Sequence, residues 1–259
     1  MSQLLSELAG GELAGFILVL ARVAPMFLLA PLFSSRMIPA RVRGIVAVGI
    51  SIGLAPVALH GQHIPGDALS LASLVVEGML VGLGFALSLS LLLAALETAG
   101  SLVDIVSGFS YGSLINPLSG ERSAVMSQFY ALVGTMIFLI VGGDAWMLRG
   151  LATTFQLVPL TSAPRLSSMT AGIEQLFSTV FASAVEVAAP VLIALLITDV
   201  AFGVVSRVVP QLNVFAVGFP TKVAVALLVV AASIPFVGNW ISDQLSVNVS
   251  SALEALHVA

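Results

Sequence analysis

Few residues in this chain are of types that could do chemistry, and most of those sit where a charge is costly. Glu77, Glu97, Asp104, Glu186 and Asp199 each interrupt an otherwise apolar stretch. A carboxylate in such surroundings can relay protons or bind a cation in a transporter. It can equally be structural, capping a helix, pairing at a subunit contact or lying beyond the lipid. An acid at mid-bilayer costs about 3 kcal/mol on insertion scales, so these groups must face protein or water. No His or Lys adjoins any of them in sequence, which favours the structural reading. His60, His63 and His257 lack the spacing to carboxylates that a metal site needs, and the absence of Cys removes thiolate ligands, disulfides and Cys nucleophiles. There is no G-x-x-x-x-G-K-S/T phosphate loop. Gly82-Leu-Gly84 lies within an apolar run without a third glycine, so it reads as helix packing, and the serines near Ser107 lack a base. No catalytic constellation, cofactor site or metal site emerges, and the chain does not read as an enzyme.

The elements that must position these residues are set by composition. Of 259 residues, 8% are charged and 59% hydrophobic, whereas soluble domains carry about 25% charge. Such a chain cannot clothe a water-soluble surface. That excludes a soluble enzyme, a nucleic-acid binder and a disordered scaffold, and predicts an all-α integral membrane protein in contact with lipid. The formal net charge of -4 is too small to define a partner.

A spanning helix needs about 20 apolar residues. Candidate runs occupy 13–33, 44–59, 68–96, 123–143, 176–206 and 221–242. The second is short, while the third and fifth outreach a bilayer core and must tilt, kink or project; Pro190 offers a kink in the fifth. Residues 1–12 carry Glu7 and Glu12 but no Lys or Arg, so the first run reads as a retained helix rather than a cleavable signal. With six alternating spans, Arg36, Arg41, Arg43, Arg122, Arg207 and Lys222 share one side, against Arg149 and Arg165 on the other. The positive-inside rule makes the first side cytoplasmic and places both termini outside. Gly49/Gly53 and Gly78/Gly82 have the spacing that lets helix backbones approach, although such pairs also arise by chance among 23 glycines.

Two segments break the helical pattern. The first, 107–122, reads Ser-Gly-Phe-Ser-Tyr-Gly-Ser-Leu-Ile-Asn-Pro-Leu-Ser-Gly-Glu-Arg, too rich in glycine, serine and Asn-Pro for a continuous helix. Irregular backbone at membrane depth survives only where protein buries it or water lines it. The segment is either a loop folded into a lumen or an ordinary surface loop. The second, 207–222, is a tight turn between the last two helices. Pro210 breaks the helix there, Gly218 permits a backbone conformation closed to other residues, and Arg207 and Lys222 stand at the shoulders. Gln211 and Asn213 add donors and acceptors, and this polar cluster reads as a docking tip.

Three groups of residues carry a family resemblance over nearly the whole chain. The first is Arg22-xx-Pro25-x-Phe27-xxx-Pro31 with Pro39-x-Arg41-x-Arg43. The second is Glu77-Gly78-xxx-Gly82-x-Gly84-Phe85, then Gly100, Asp104, Gly108-Phe109 and Asn116-Pro117. The third and most specific is Asp199-xxx-Gly203-xxx-Arg207-xx-Pro210-Gln211-x-Asn213-x-Phe215-xx-Gly218-x-Pro220-x-Lys222. Together they resemble FliR/SctT, the family of R subunits of the flagellar type III export gate, called T subunits in virulence secretion systems. One position departs from the flagellar pattern: Gly142-Gly143 is followed by Asp144 where His is usual.

The resemblance implies about six long, partly broken helices arranged as hairpins, with a P-like part (1–175) followed by a Q-like part (176–259). It implies a single copy assembled helically with FliP and FliQ subunits into a closed pore, standing partly above the inner membrane at the flagellar basal body. FlhA and FlhB become neighbours, and unfolded flagellar subunits pass in transit. The 107–122 segment becomes a pore plug, with Gly108, Phe109, Tyr111, Gly112, Leu114, Ile115, Asn116 and Pro117 forming the seal. Gly108, Gly112 and Gly120 would let it swing aside. Asp199, Arg207, Pro210, Gln211, Asn213, Phe215, Gly218, Pro220 and Lys222 form the hairpin tip and a subunit contact. Rival readings are a virulence-type T subunit, a stand-alone secondary transporter using Glu77, Glu186 or Asp199, and a membrane scaffold without a pore.

Overall fold

A computed structural model describes residues 2–30, 33, 38–62, 64–110, 124–163, 166–211 and 213–256. All the regular structure among them is helical. The helices are α1 (Ser2–Leu29), α2 (Ala40–Ala58), α3 (Ala68–Ser107), α4 (Val125–Ile140), α5 (Gly143–Leu157), α6 (Leu166–Val208) and α7 (Val214–Leu256). Five of these elements contain stretches long and apolar enough to cross a membrane, and a sixth span results if α4 and α5 count as one broken span. The apolar composition and these spans define an all-α integral membrane protein.

Several boundaries differ from the apolar runs, for local reasons. The third run ends before Glu97, yet α3 continues to Ser107 and reaches 40 residues, roughly 60 Å of helix rise. Helices α6 and α7 have 43 residues each, well beyond a bilayer core of about 30 Å. Pro190 lies inside α6, and Pro220 and Pro235 lie inside α7, without ending either helix. The fourth apolar run stops at Gly143, the first residue of α5. Asp144, Arg149 and Gln156 dilute its hydropathy, but its buried residues Gly143, Met147, Gly150, Leu151 and Thr154 follow a helical period. Gly142 lies between α4 and α5 with φ +76°, a conformation that favours glycine. Asp144 falls in the first turn of α5, where a negative charge is favoured by the helix dipole. That gives the departure from His a local physical account.

The chain forms two compact units that do not follow chain order. One comprises Met1–Leu91, Gly142–Phe177 and Gln244–Ala259, with a core that includes Leu18, Met26, Phe85, Leu89, Met147 and Leu151. In it Gly82 packs against the backbone of α1, where any Cβ would strike the Arg22 carbonyl, and Gly78 faces the Leu18 carbonyl at 3.7 Å. This glycine pair is a real helix contact. Gly49 and Gly53 on α2 have nothing near them. The other unit comprises Leu92–Val141 and Ser178–Asp243, with Leu96, Val103, Phe138, Val191, Leu195 and Ile241 in its core.

Candidate functional site

The start of the sequence-predicted plug is described, and its remainder is not. Helix α3 ends at Ser107, and Gly108 leaves it with φ +90°, a left-handed conformation that explains a glycine at this position. Gly108 is buried and Phe109 half-buried. Tyr111, Gly112, Leu114, Ile115, Asn116, Pro117 and Gly120 lie outside the described residues.

The two ends of this segment are joined by Asp104. Its carboxylate accepts hydrogen bonds from the backbone N–H groups of Met126 (2.9 Å) and Ser127 (3.0 Å) in the first turn of α4. Ala124, at the cap of α4, has no side chain able to do this. Asp104 therefore supplies the missing cap from a different helix, and the dipole of α4 favours its charge. Close packing supports the joint. A Cβ on Gly100 would come within 2.5 Å of the Ser127 Cα, and the Ser127 hydroxyl donates to the Glu97 carbonyl at 3.1 Å. Asp104 is 2% exposed.

The other acids have separate environments. Glu186 accepts a hydrogen bond from the Trp240 indole N–H at 3.1 Å. Asp199 pairs with Lys222 at 2.8 Å across the α6–α7 hairpin. Sequence separation hid this pair, since the partners are 23 residues apart. Glu97 is exposed and Glu77 half-buried. Asp104, Glu186 and Asp199 thus each have a structural partner, in keeping with the structural reading rather than a relay.

The hairpin tip is narrower than the sequence indicates. Among the described residues between α6 and α7, Pro210 and Gln211 form a turn beside Val209, and both are exposed, as is Arg207 in the last turn of α6. Asn213 caps α7, its side-chain oxygen accepting the Ala216 N–H at 3.1 Å. Its side-chain oxygen thus serves the helix start, while the residue remains exposed. Phe215, Gly218 and Pro220 lie within α7. Gly218 is helical and buried, without the special turn conformation expected of it.

Arg22, which the sequence offered only as part of a family resemblance, is a further site. It lies in α1 and is 2% exposed. Its Nη1 donates to the carbonyls of Thr154 (3.1 Å) and Val158 (2.6 Å), at the C-terminal end of α5. Its Cζ lies 4.7 Å from the centroid of the Phe155 ring. The charge is met by a helix C-terminus and an aromatic face. An Arg within an apolar run was the available signal. Among the described residues no group of three or more His, Asp or Glu side chains could hold a metal ion, and His63 and His257 lie outside them.

These features define an all-α membrane protein whose polar groups tie helices together at the ends of irregular segments. The family model for bacterial export proteins, family 1, matches residues 13–247, and the chain belongs to that family, the FliR/SctT family of type III export components. It is 33% identical over 231 residues to the flagellar biosynthetic protein FliR of Bacillus subtilis (strain 168), covering 86% of this chain and 87% of that protein. To the FliR of Escherichia coli (strain K12) it is 27% identical over 221 residues, 85% and 84% of the two chains. To the surface presentation of antigens protein SpaR of Shigella flexneri it is 30% identical over 217 residues, 82% of each. The chain is a membrane component of a flagellar or type III export apparatus.

Proposed function

We propose that this chain is the R-type subunit of a flagellar protein-export gate at the basal body in the bacterial inner membrane. With FliP- and FliQ-type subunits it completes a closed pore, and unfolded flagellar proteins thread through when the gate opens. FlhA- and FlhB-type components lie near the 207–222 tip, on the cytoplasmic side. The reading divides the chain into a P-like part, 1–175, and a Q-like part, 176–259. The carrying observation is the similarity to flagellar FliR proteins over more than four-fifths of both chains. The arrangement around Gly108 is compatible with it, because α3 breaks there within an apolar chain.

In this reading residues 108–117 form an apolar seal that retards ions by excluding water. Phe109, Tyr111, Leu114 and Ile115 supply the apolar surface, and the glycines let the segment move aside. Tagging the protein, extracting it in mild detergent and identifying co-purifying chains provides the test. Stoichiometric P- and Q-type partners are expected; a homogeneous chain that transports alone overturns the proposal. Deleting 108–119 should leave assembly intact and make the resting membrane leak ions.

The SpaR similarity supports a second reading, the T subunit of a virulence-type system. Complementation separates the two: restored motility in a strain lacking its flagellar R subunit supports the first.

A further inference from the structure

We propose that the exposed face of α6 around Glu186 docks an apolar helix of a neighbouring subunit, one that carries a lysine or arginine level with this carboxylate. The inference deepens the reading of the chain as one subunit of an export gate and rests on it. Glu186, Pro190, Ile193, Ile197, Val200 and Val204 follow one another along α6 at alternating steps of four and three residues. That spacing keeps one stripe of a helix against a second helix. All six are exposed except Pro190, which is half-buried. Ala184, Val187, Val191 and Leu195, on the opposite side of α6, are buried within the chain.

Lipid cannot cover this face alone. The apolar stretch Thr170–Val208 runs for 39 residues, roughly 58 Å of helix rise against a bilayer core of about 30 Å. Glu186 sits near its middle, with Phe181 and Val185 exposed on one side and Ile193 on the other. The partner Glu186 has within the chain is a neutral donor, the Trp240 indole N–H at 3.1 Å. Among the described residues no basic side chain pairs with it. A helix pressed onto this face takes the carboxylate out of water, and an uncompensated buried charge is costly, so the incoming helix must bring a cation. Pro190 has no N–H to give to the Glu186 carbonyl four residues back, which adds a second acceptor at the same residue. An ammonium or guanidinium group, with several donors, can serve both.

The experiment uses the assembled complex in membranes of cells that also make the P- and Q-type subunits. A benzophenone side chain placed at Ile193 or Ile197 should crosslink to one of those subunits on illumination. Their co-purification should fall about tenfold in E186Q and further in E186K, while E186D and W240F retain most of it. Exchanging the Lys and Arg residues of the crosslinked helix for Glu, one at a time, should restore assembly with E186K at one position. Equal losses in E186Q and W240F, with no rescue of E186K, would mean that Glu186 acts inside the chain, and overturn the proposal. Crosslinks to lipid alone, or full co-purification with E186K, overturn it too and leave the export-gate reading standing. If the wild-type chain is isolated without P- and Q-type subunits, that reading falls and this inference falls with it.

Discussion

Arg22 and Phe155 are stacked, the guanidinium carbon 4.7 Å from the ring centroid, and Arg22 is the one basic residue of the first helix. The guanidinium plane is thereby aimed at the end of α5, where two carbonyls receive Nη1. Burial disfavours an isolated charge, and the carbonyls and ring offset that cost. The R22A variant removes the hydrogen bonds, the stacking and much packed volume, and should destabilise by about 3 kcal/mol. R22K keeps the charge but loses the planar fork, and should recover only part of that loss. Unfolding of the purified protein in detergent, followed by circular dichroism, checks both; equal stability of R22A and wild type would show that the contact contributes nothing.

Gly82 and Gly78 should respond differently to the same added methyl group. At Gly82 the methyl meets the Arg22 backbone, which cannot step aside as a side chain can; at Gly78 it reaches only ordinary contact distance. G82A should therefore cost about 1–3 kcal/mol, and G78A close to nothing. The same unfolding measurement decides it, and a larger loss for G78A would contradict the helix packing described.

Asp67 precedes α3 and accepts the Ser70 N–H at 2.9 Å. Hydrogen bonds from Ser70, its side chain first and its backbone second, hold this carboxyl below the ordinary value of 3.8. A depressed native pKa adds stability above the unfolded value, and that stability is lost as pH falls through the native one. The start of α3 should thus open as pH drops below 3.8, and D67N should weaken this acid dependence. Hydrogen exchange over 68–73 between pH 5 and 3 reads it out; an identical pH profile in D67N would show that another group is responsible.

Composition alone made the membrane class and helical fold legible, because a chain so poor in charge has few other ways to satisfy its backbone in lipid. The apolar runs found the spans but not their ends. Hydropathy stops at an acid such as Glu97, whereas backbone hydrogen bonding continues until Gly108 interrupts it. Helix α5 was hidden because its signal lies in periodicity, not mean hydropathy. The polar partners were hidden for another reason: Asp104 with Met126, Glu186 with Trp240 and Asp199 with Lys222 are pairings across helices. Their separation in sequence is fixed by helix length and turn geometry, which local residue patterns do not encode. Asn213 shows the converse, a polar residue whose partner, the Ala216 N–H, is local and follows from its place just before α7.

The Asp199–Lys222 pair permits a test that separates folding from assembly. It ties the two helices of the hairpin at 2.8 Å, but Asp199 remains 47% exposed and Lys222 21%. Exposed pairs contribute about 0–1 kcal/mol, screened further by salt. Neutralising either partner, as D199N or K222Q, should therefore change the stability of the isolated protein by less than about 1 kcal/mol. If the pair also meets a neighbouring subunit, each single variant should lower co-purification of P- and Q-type partners and motility far more than stability. The swapped double variant D199K/K222D restores the attraction within the hairpin but reverses the charges offered outward. Recovery of assembly in the swap would show that only the internal tie matters. Continued loss, with stability intact, would locate the requirement at the subunit contact.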